Sequence, residues 1–197
     1  GYDYHRYFEW LSRNGISTEG IRIIEDELTA SAYITTDKAD NQITGFNPGA
    51  MKYSSCLDFD KLAPGETLII VSPGNLGDMM NYPRICKERG IDYIFDPGQS
   101  LPMWDAKDLV HSIEGCRILI VNDYELDLIL NKTGLSKKEL LKLPRAIITT
   151  LGEHGSRISM TFDSSGSSAG ESTVMSSSFI ISTSYSTEGA VNNTSRL

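Results

Sequence analysis

The stretch "VNDYELDL" (residues 121–128) sets an amide, Asn122, three residues before a carboxylate, Glu125, where an apolar run gives way to a helical one. An acid in the first turn of a helix complements the helix dipole, worth about 0.3–1 kcal/mol, so the pattern has a purely structural reading. Its chemical reading is an oxygen-rich corner above a ligand crevice. A Mg²⁺ ion keeps most of its waters and completes its shell with one or two carboxylates and with nucleotide phosphates. Asn122 and Glu125 are therefore the candidate residues for holding a hydrated Mg²⁺. A second candidate lies in "TTLGEHGS" (149–156), where Thr150 ends an apolar run and Gly152 and Gly155 follow. Glycines there let backbone N–H groups approach a phosphate or a ribose closely, although a T-x-G-x-x-G string is also an ordinary tight turn.

Other chemistries lose their support. The chain has neither a GxxxxGK[ST] string nor a GxGxxG string, the glycine patterns of the P-loop and of dinucleotide binding. It has no GxSxG elbow, which disfavours an α/β-hydrolase. His5, His111 and His154 are too scattered to suggest a metal cluster. Cys56, Cys86 and Cys116 are odd in number and form no CxxC pair, so buried free thiols in a reducing, cytoplasmic setting are expected. A net charge of −8 argues against a nucleic-acid surface, and no apolar run reaches the length of a membrane span. The chain starts at Gly1 without Met, from which a missing natural N-terminus is expected.

The elements that must position these residues follow from periodicity. Apolar residues at helical spacing mark a helix over residues 4–13, stopped by Gly15. Residues 28–36 and 41–47 read as two strands of a β-hairpin around a polar turn. Then four short, almost wholly apolar strands, 67–72, 91–96, 117–122 and 146–150, alternate with helical segments. Those segments are 77–90, interrupted at its proline, 105–113 and 123–134. Ser136 and Glu139 add a capping box after them. Such an alternation implies a Rossmann-like α/β core over 67–158, with a parallel sheet covered on both faces. Ligands bind beyond the carboxyl ends of such strands, which here are Ser72, Asp96, Asn122 and Thr150. Each alone reads as a strand end meeting solvent or as a helix cap; four on one rim point to a site. From Ser159 the composition changes, with 13 Ser and 5 Thr in 39 residues. Residues 159–197 are expected to be a tail outside the core, disordered or loosely attached.

Taken in order, "NQITGFNPGAM", "IFDPGQ", "IVNDYE" and "ITTLGEHGS" make residues 1–158 resemble the ribokinase/PfkB family of carbohydrate and nucleoside kinases, nearest its adenosine-kinase-like branch. The resemblance implies a ribokinase-like fold, here incomplete, with the hairpin at 28–47 as part of a lid. It implies ATP and Mg²⁺ as cofactors and transfer of the γ-phosphate to a hydroxymethyl group of a sugar or nucleoside. Asn122 and Glu125 match the family's N-x-x-E, which organises Mg²⁺ and phosphate, and Thr150 and Gly152 match its ATP-contacting turn. Ser72 matches a strand end that faces the sugar, and Ile34 and Phe46 are lid contacts or packing within the hairpin. A homodimer through the lid is a further implication.

The departures from the family pattern matter as much. No acidic first strand or Gly-Gly segment precedes the hairpin, and no G-A-G-D string, which carries the family's anion hole and general base, occurs in the chain. No catalytic base is assigned, and a fragment with little or no activity is expected. Two alternatives stay open: a non-catalytic nucleotide-binding or interaction module derived from the kinase fold, and an unrelated Rossmann-like nucleotide-dependent enzyme.

Overall fold

In the computed structural model, residues 1–39, 42–162, 168–174 and 181–185 are described. They fall into two units, Gly1–Leu62 and Ala63–Leu197. In the first unit, helix α1 (His5–Arg13) buries none of its residues and ends where the chain turns at Gly15 with φ +67°. Strands β1 (Ser31–Thr36) and β2 (Gln42–Asn47) pair antiparallel from Ser31↔Asn47 to Thr36↔Gln42. This register sets Ile34 and Phe46 on one face and Tyr33 and Ile43 on the other, because side chains alternate along a strand. Strand β1 begins three residues later than its apolar pattern suggests. Thr29 is held outside the ladder by Asp3, whose Oδ1 accepts both its N–H and its hydroxyl at 2.7 Å.

The second unit carries a seven-stranded sheet. Its elements in chain order are β3 (Leu68–Val71), α2 (Leu76–Arg89), β4 (Asp92–Phe95), α3 (Ala106–Ile113), β5 (Ile118–Asn122), α4 (Asp123–Thr133), α5 (Lys137–Leu140), β6 (Ala146–Thr150), β7 (Ser156–Phe162), β8 (Ser168–Val174) and β9 (Ile181–Tyr185). The strands lie side by side in sequence order. Strands β3 to β6 are parallel, and β7, β8 and β9 are added antiparallel.

Helix α2 passes through Pro83 without a break, which corrects the interruption anticipated there. A proline costs its helix one N–H donor, but strong ends hold the segment: Asn75 accepts the Asp78 N–H, and Gly90 closes the helix at φ +66°. Helix α5 is a single turn, and Ser136 and Glu139 cap each other as their spacing implies.

Two anticipations about the core are corrected. Strands that step across the sheet in one direction by right-handed crossovers place their helices on the same face. Accordingly α2 packs on α3 and α3 on α4. The side chains facing them form the core, with Val71, Tyr93, Phe95, Leu119, Val121 and Ile147 all buried. The opposite face carries exposed Leu68 and Ile70, so among the described residues of this unit the helices α2, α3 and α4 cover one face rather than both. The second correction concerns residue 158, where the α/β core was expected to end. Strand β7 crosses that point and continues to Phe162, its backbone paired with β6 and Ser159 buried. Backbone pairing does not require apolar side chains, which is why a serine-rich segment can extend a sheet. Strands β8 and β9 likewise belong to the stretch expected to be loose, whereas 163–167, 175–180 and 186–197 lie outside the described residues.

Among the described residues no helix is long and apolar enough to cross a membrane. Cys86 and Cys116 are buried, and burial pushes their thiols up to about 11 and about 12. Cys56 is exposed, contrary to the expectation of three buried thiols.

Candidate functional site

The carboxyl ends of β3 to β6 bound a cleft of about 510 Å³. Asp96, Gly98 and Gln99 line it from the end of β4, Asn122 and Glu125 from the β5–α4 junction, and Thr150 from the end of β6. The register Asn122↔Thr150 explains why two of these residues, far apart in sequence, share a rim.

Asn122 and Glu125 form a reciprocal cap. Asn122 Oδ1 accepts the Glu125 N–H at 2.7 Å, and Glu125 Oε2 accepts the Asn122 N–H at 2.9 Å. The structural reading of the motif is thus realised, and it leaves chemistry to spare. Asn122 keeps an amide N–H₂ group to donate, and Glu125 keeps Oε1 as an acceptor. The cap fixes both side chains at the edge of the cleft, as preorganisation of a binding site requires.

Across the cleft, Asp96 is held by the backbone N–H of Gly98. Gly98 has φ +45°, and a Cβ there would fall 2.6 Å from Pro73 Cγ, so backbone angle and space both demand glycine. The loop continues as a 3₁₀ helix, Gly98–Met103, locked from below. The Ser100 hydroxyl donates to the Pro97 carbonyl, and Trp104 Nε1 donates to Ser100 Oγ at 2.9 Å. Trp104 meets Phe95 edge to face at 5.5 Å. Lys132 Nζ of α4 donates to the Trp104 carbonyl at 2.7 Å, so the two walls of the cleft are tied together.

Burial, and then the nearby Glu125 carboxylate, raise Asp96 above the ordinary carboxylate value of 3.8. A carboxyl whose folded pKa is raised favours folding in its protonated form. That contribution is complete below the unfolded value and is lost as pH rises through the folded value. Asp96→Asn is accordingly expected to be more stable than the parent at neutral pH, with the advantage shrinking as pH falls through the carboxylate range. Urea denaturation midpoints measured across that range check it; an advantage that grows on acidification contradicts it.

The remaining sequence candidates are placed as follows. Gly152 opens the 3₁₀ turn Gly152–His154 at φ +57°, two residues past Thr150 and outside the cleft lining. Ser72 is exposed at the end of β3, next to Pro73, which does line the cleft. Ile34 and Phe46 belong to the other unit, exposed on one face of its hairpin. Gly98 and Gln99 are cleft residues to which the sequence reading assigned no binding role, and Asp96 was named only as one of four strand ends on the ligand rim. The signal for Asp96 was its place at a strand end, shared with Asn122 and Thr150.

The model of the pfkB family carbohydrate kinase matches residues 1–190. A nucleoside kinase of Methanocaldococcus jannaschii is 32% identical over 161 residues, covering 80% of this chain and 52% of that protein. The chain spans about half the length of the curated relatives it matches. The structure of Burkholderia thailandensis nucleoside kinase in complex with inosine superimposes with a TM-score of 0.72 at 40% identity, over 79% of this chain and 51% of that one. The same enzyme in complex with ADP-inosine gives 0.72 at 38% identity, over 84% and 50%. A ribokinase from Thermotoga maritima, at 20% identity and a TM-score of 0.60 over 83% and 54%, shares the fold.

Proposed function

The chain belongs to the pfkB family of carbohydrate kinases, and from that premise we propose that its cleft is the metal and phosphate end of a nucleoside-kinase site. In the whole domain the reaction is transfer of the ATP γ-phosphate to a hydroxymethyl group of a nucleoside or sugar. The observation that carries this reading is the meeting of Asn122, Glu125, Thr150 and Asp96 around one cleft.

The donor set fits Mg²⁺, which takes hard oxygen ligands and keeps several waters. Glu125, through its spare Oε1, and Asp96 are the carboxylates for that shell, directly or through water. When bound, the ion neutralises charge on the nucleotide phosphates. The Asn122 amide N–H₂ is placed to donate to a phosphate oxygen. Thr150 and the Gly152 backbone supply the ATP-contacting turn. On the acceptor side, a purine nucleoside is favoured because the Burkholderia thailandensis relative is described with inosine. Ser72, and Ile34 and Phe46 of the hairpin, are the residues of this chain assigned to that side.

Phosphoryl transfer rests on positioning and charge stabilisation, and the G-A-G-D string that brings the base and the anion hole is not in this sequence. The chain alone is therefore expected to bind Mg-nucleotide and to turn over negligibly. Calorimetric titration with MgADP and a coupled ADP-release assay with inosine, adenosine and ribose test both halves. The expected result is Mg²⁺-dependent binding without turnover above background. Turnover abolished by Glu125→Gln would overturn the inactivity, and absence of any nucleotide binding would overturn the site.

A further inference from the structure

We propose that Lys87 is an acylation site, with the His111 imidazole as its general base and an activated acyl group, on a thioester or a phosphate, as the co-reactant. The two residues sit in the last turns of packed helices, Lys87 in α2 and His111 in α3. Lys87 Nζ donates to the His111 carbonyl at 2.6 Å and lies 3.2 Å from His111 Nε2. A nucleophile and a base within hydrogen-bond reach, with a further contact fixing their orientation, are the geometry of an activated side chain. The Lys87 stem runs beside Gly115, where a Cβ would meet Lys87 Cδ at 3.5 Å, so the turn before β5 supports it from one side. Helices of such a layer run back along the strands, which sets the pair at the amino-terminal end of the sheet, away from the cleft.

The surroundings favour the free amine over the ammonium. Lys52 and Lys61 are paired with the carboxylates of Glu27 and Asp58, which hold the proton on the amine. Both partners of Lys87 Nζ are instead acceptors without charge, a carbonyl and a neutral imidazole. Burial lowers the Lys87 pKa below its ordinary 10.5, against the opposing pull of Glu114 and Cys116. Lys87 is half-buried and His111 exposed, so a small acyl donor reaches Nζ from the imidazole side. In the step, Nζ gives one proton to His111 Nε2 and its lone pair attacks the acyl carbon. The C–N bond forms as the bond from that carbon to sulfur or phosphate oxygen breaks. The second amine proton goes to the departing thiolate or phosphate, and the imidazolium returns its proton to solvent. The amide left at Lys87 carries no charge, so the C-terminal carbonyls of α3 lose the cation that complements them.

The test incubates the full chain at neutral pH with acetyl phosphate in one arm and an acetyl thioester of N-acetylcysteamine in the other. Peptide mass spectrometry follows the occupancy of each lysine with time. Lys87 is expected to be acetylated about tenfold or more faster than the exposed Lys38 and Lys138, a part of what a positioned base contributes. His111→Gln, at an exposed position, keeps an acceptor beside Nζ but cannot take up its proton. That variant is expected to keep the parent circular dichroism and to bring Lys87 down to the rate of the two reference lysines, which stay unchanged. Selective acetylation by one donor alone upholds the site and identifies the source of the acyl group. Three results overturn the proposal: acetylation of Lys87 by neither donor, a rate no faster than that of Lys38 and Lys138, or the parent rate at Lys87 in His111→Gln.

Discussion

Glu125→Gln is expected to weaken MgADP binding roughly 10- to 100-fold while leaving stability within about 0.5 kcal/mol of the parent. The two effects separate because the proposed site gives the side chain a second function beside the cap, on its other oxygen. Oε2 accepts the Asn122 N–H, and a glutamine can do the same, as the interchange of Glu and Gln in capping boxes shows. The charge cannot be replaced. Interactions of a charged group are worth about 1.5–3 kcal/mol, which converts to that loss of affinity. Asn122→Ala provides the contrast. It removes the cap itself, so about 1 kcal/mol of stability should go together with affinity. Calorimetric titration and urea denaturation on the same samples read both quantities. Unchanged affinity in Glu125→Gln would reduce the motif to a helix cap.

Trp104→Ala is expected to cost about 3–5 kcal/mol, the usual range for emptying a buried aromatic site. Trp104 is 2% exposed and does three things at once. Its ring fills the space against Phe95, its Nε1 satisfies Ser100 Oγ, and its carbonyl receives Lys132 from α4. Alanine keeps only the last. Trp104→Phe restores most of the packing but not the hydrogen bond, for an expected loss of about 1–2 kcal/mol. The measurement has a convenient probe. The chain contains two tryptophans, and the other, Trp10, is 58% exposed in the first unit. A fluorescence transition from the buried indole thus reports on the α/β core. If Trp104→Ala unfolds at the parent midpoint, the loop over residues 98–103 is not held from below as described.

The alternation of strands and helices from Leu68 to Thr150 was legible because each strand is a short apolar run and each helix has its own punctuation. Asn75, Asp105, Asn122 and Ser136 cap the starts, and Gly90 and Gly134 close two of the ends. Local signals of that kind do not depend on what packs where. The coverage of the sheet was not legible for the converse reason. Ile70 and Ile94 read as buried from their residue type, and nothing in a strand's own sequence says whether a layer lies on it. Strand β7 was missed because its pairing with β6 is a backbone event, carried by a sequence that has Ile158 and Met160 but also Ser156 and Ser159. The candidate site was half legible. Asn122 and Glu125 announced themselves by spacing. Asp96 carried only the weak signal of a strand end, and the parallel register that sets it in the same cleft is a tertiary fact.

The buried thiols give the core a built-in reporter of its own opening. Only the thiolate reacts readily, and Cys86 and Cys116 are both inaccessible and held in the protonated form by burial. Cys56, in the other unit, is open to reagent. Alkylation of the native chain should therefore proceed in two stages, one label at once and two at the rate at which the α/β unit transiently unfolds. Mass spectrometry of a labelling time course reads that rate directly as the opening rate of the second unit, in the native buffer and without denaturant.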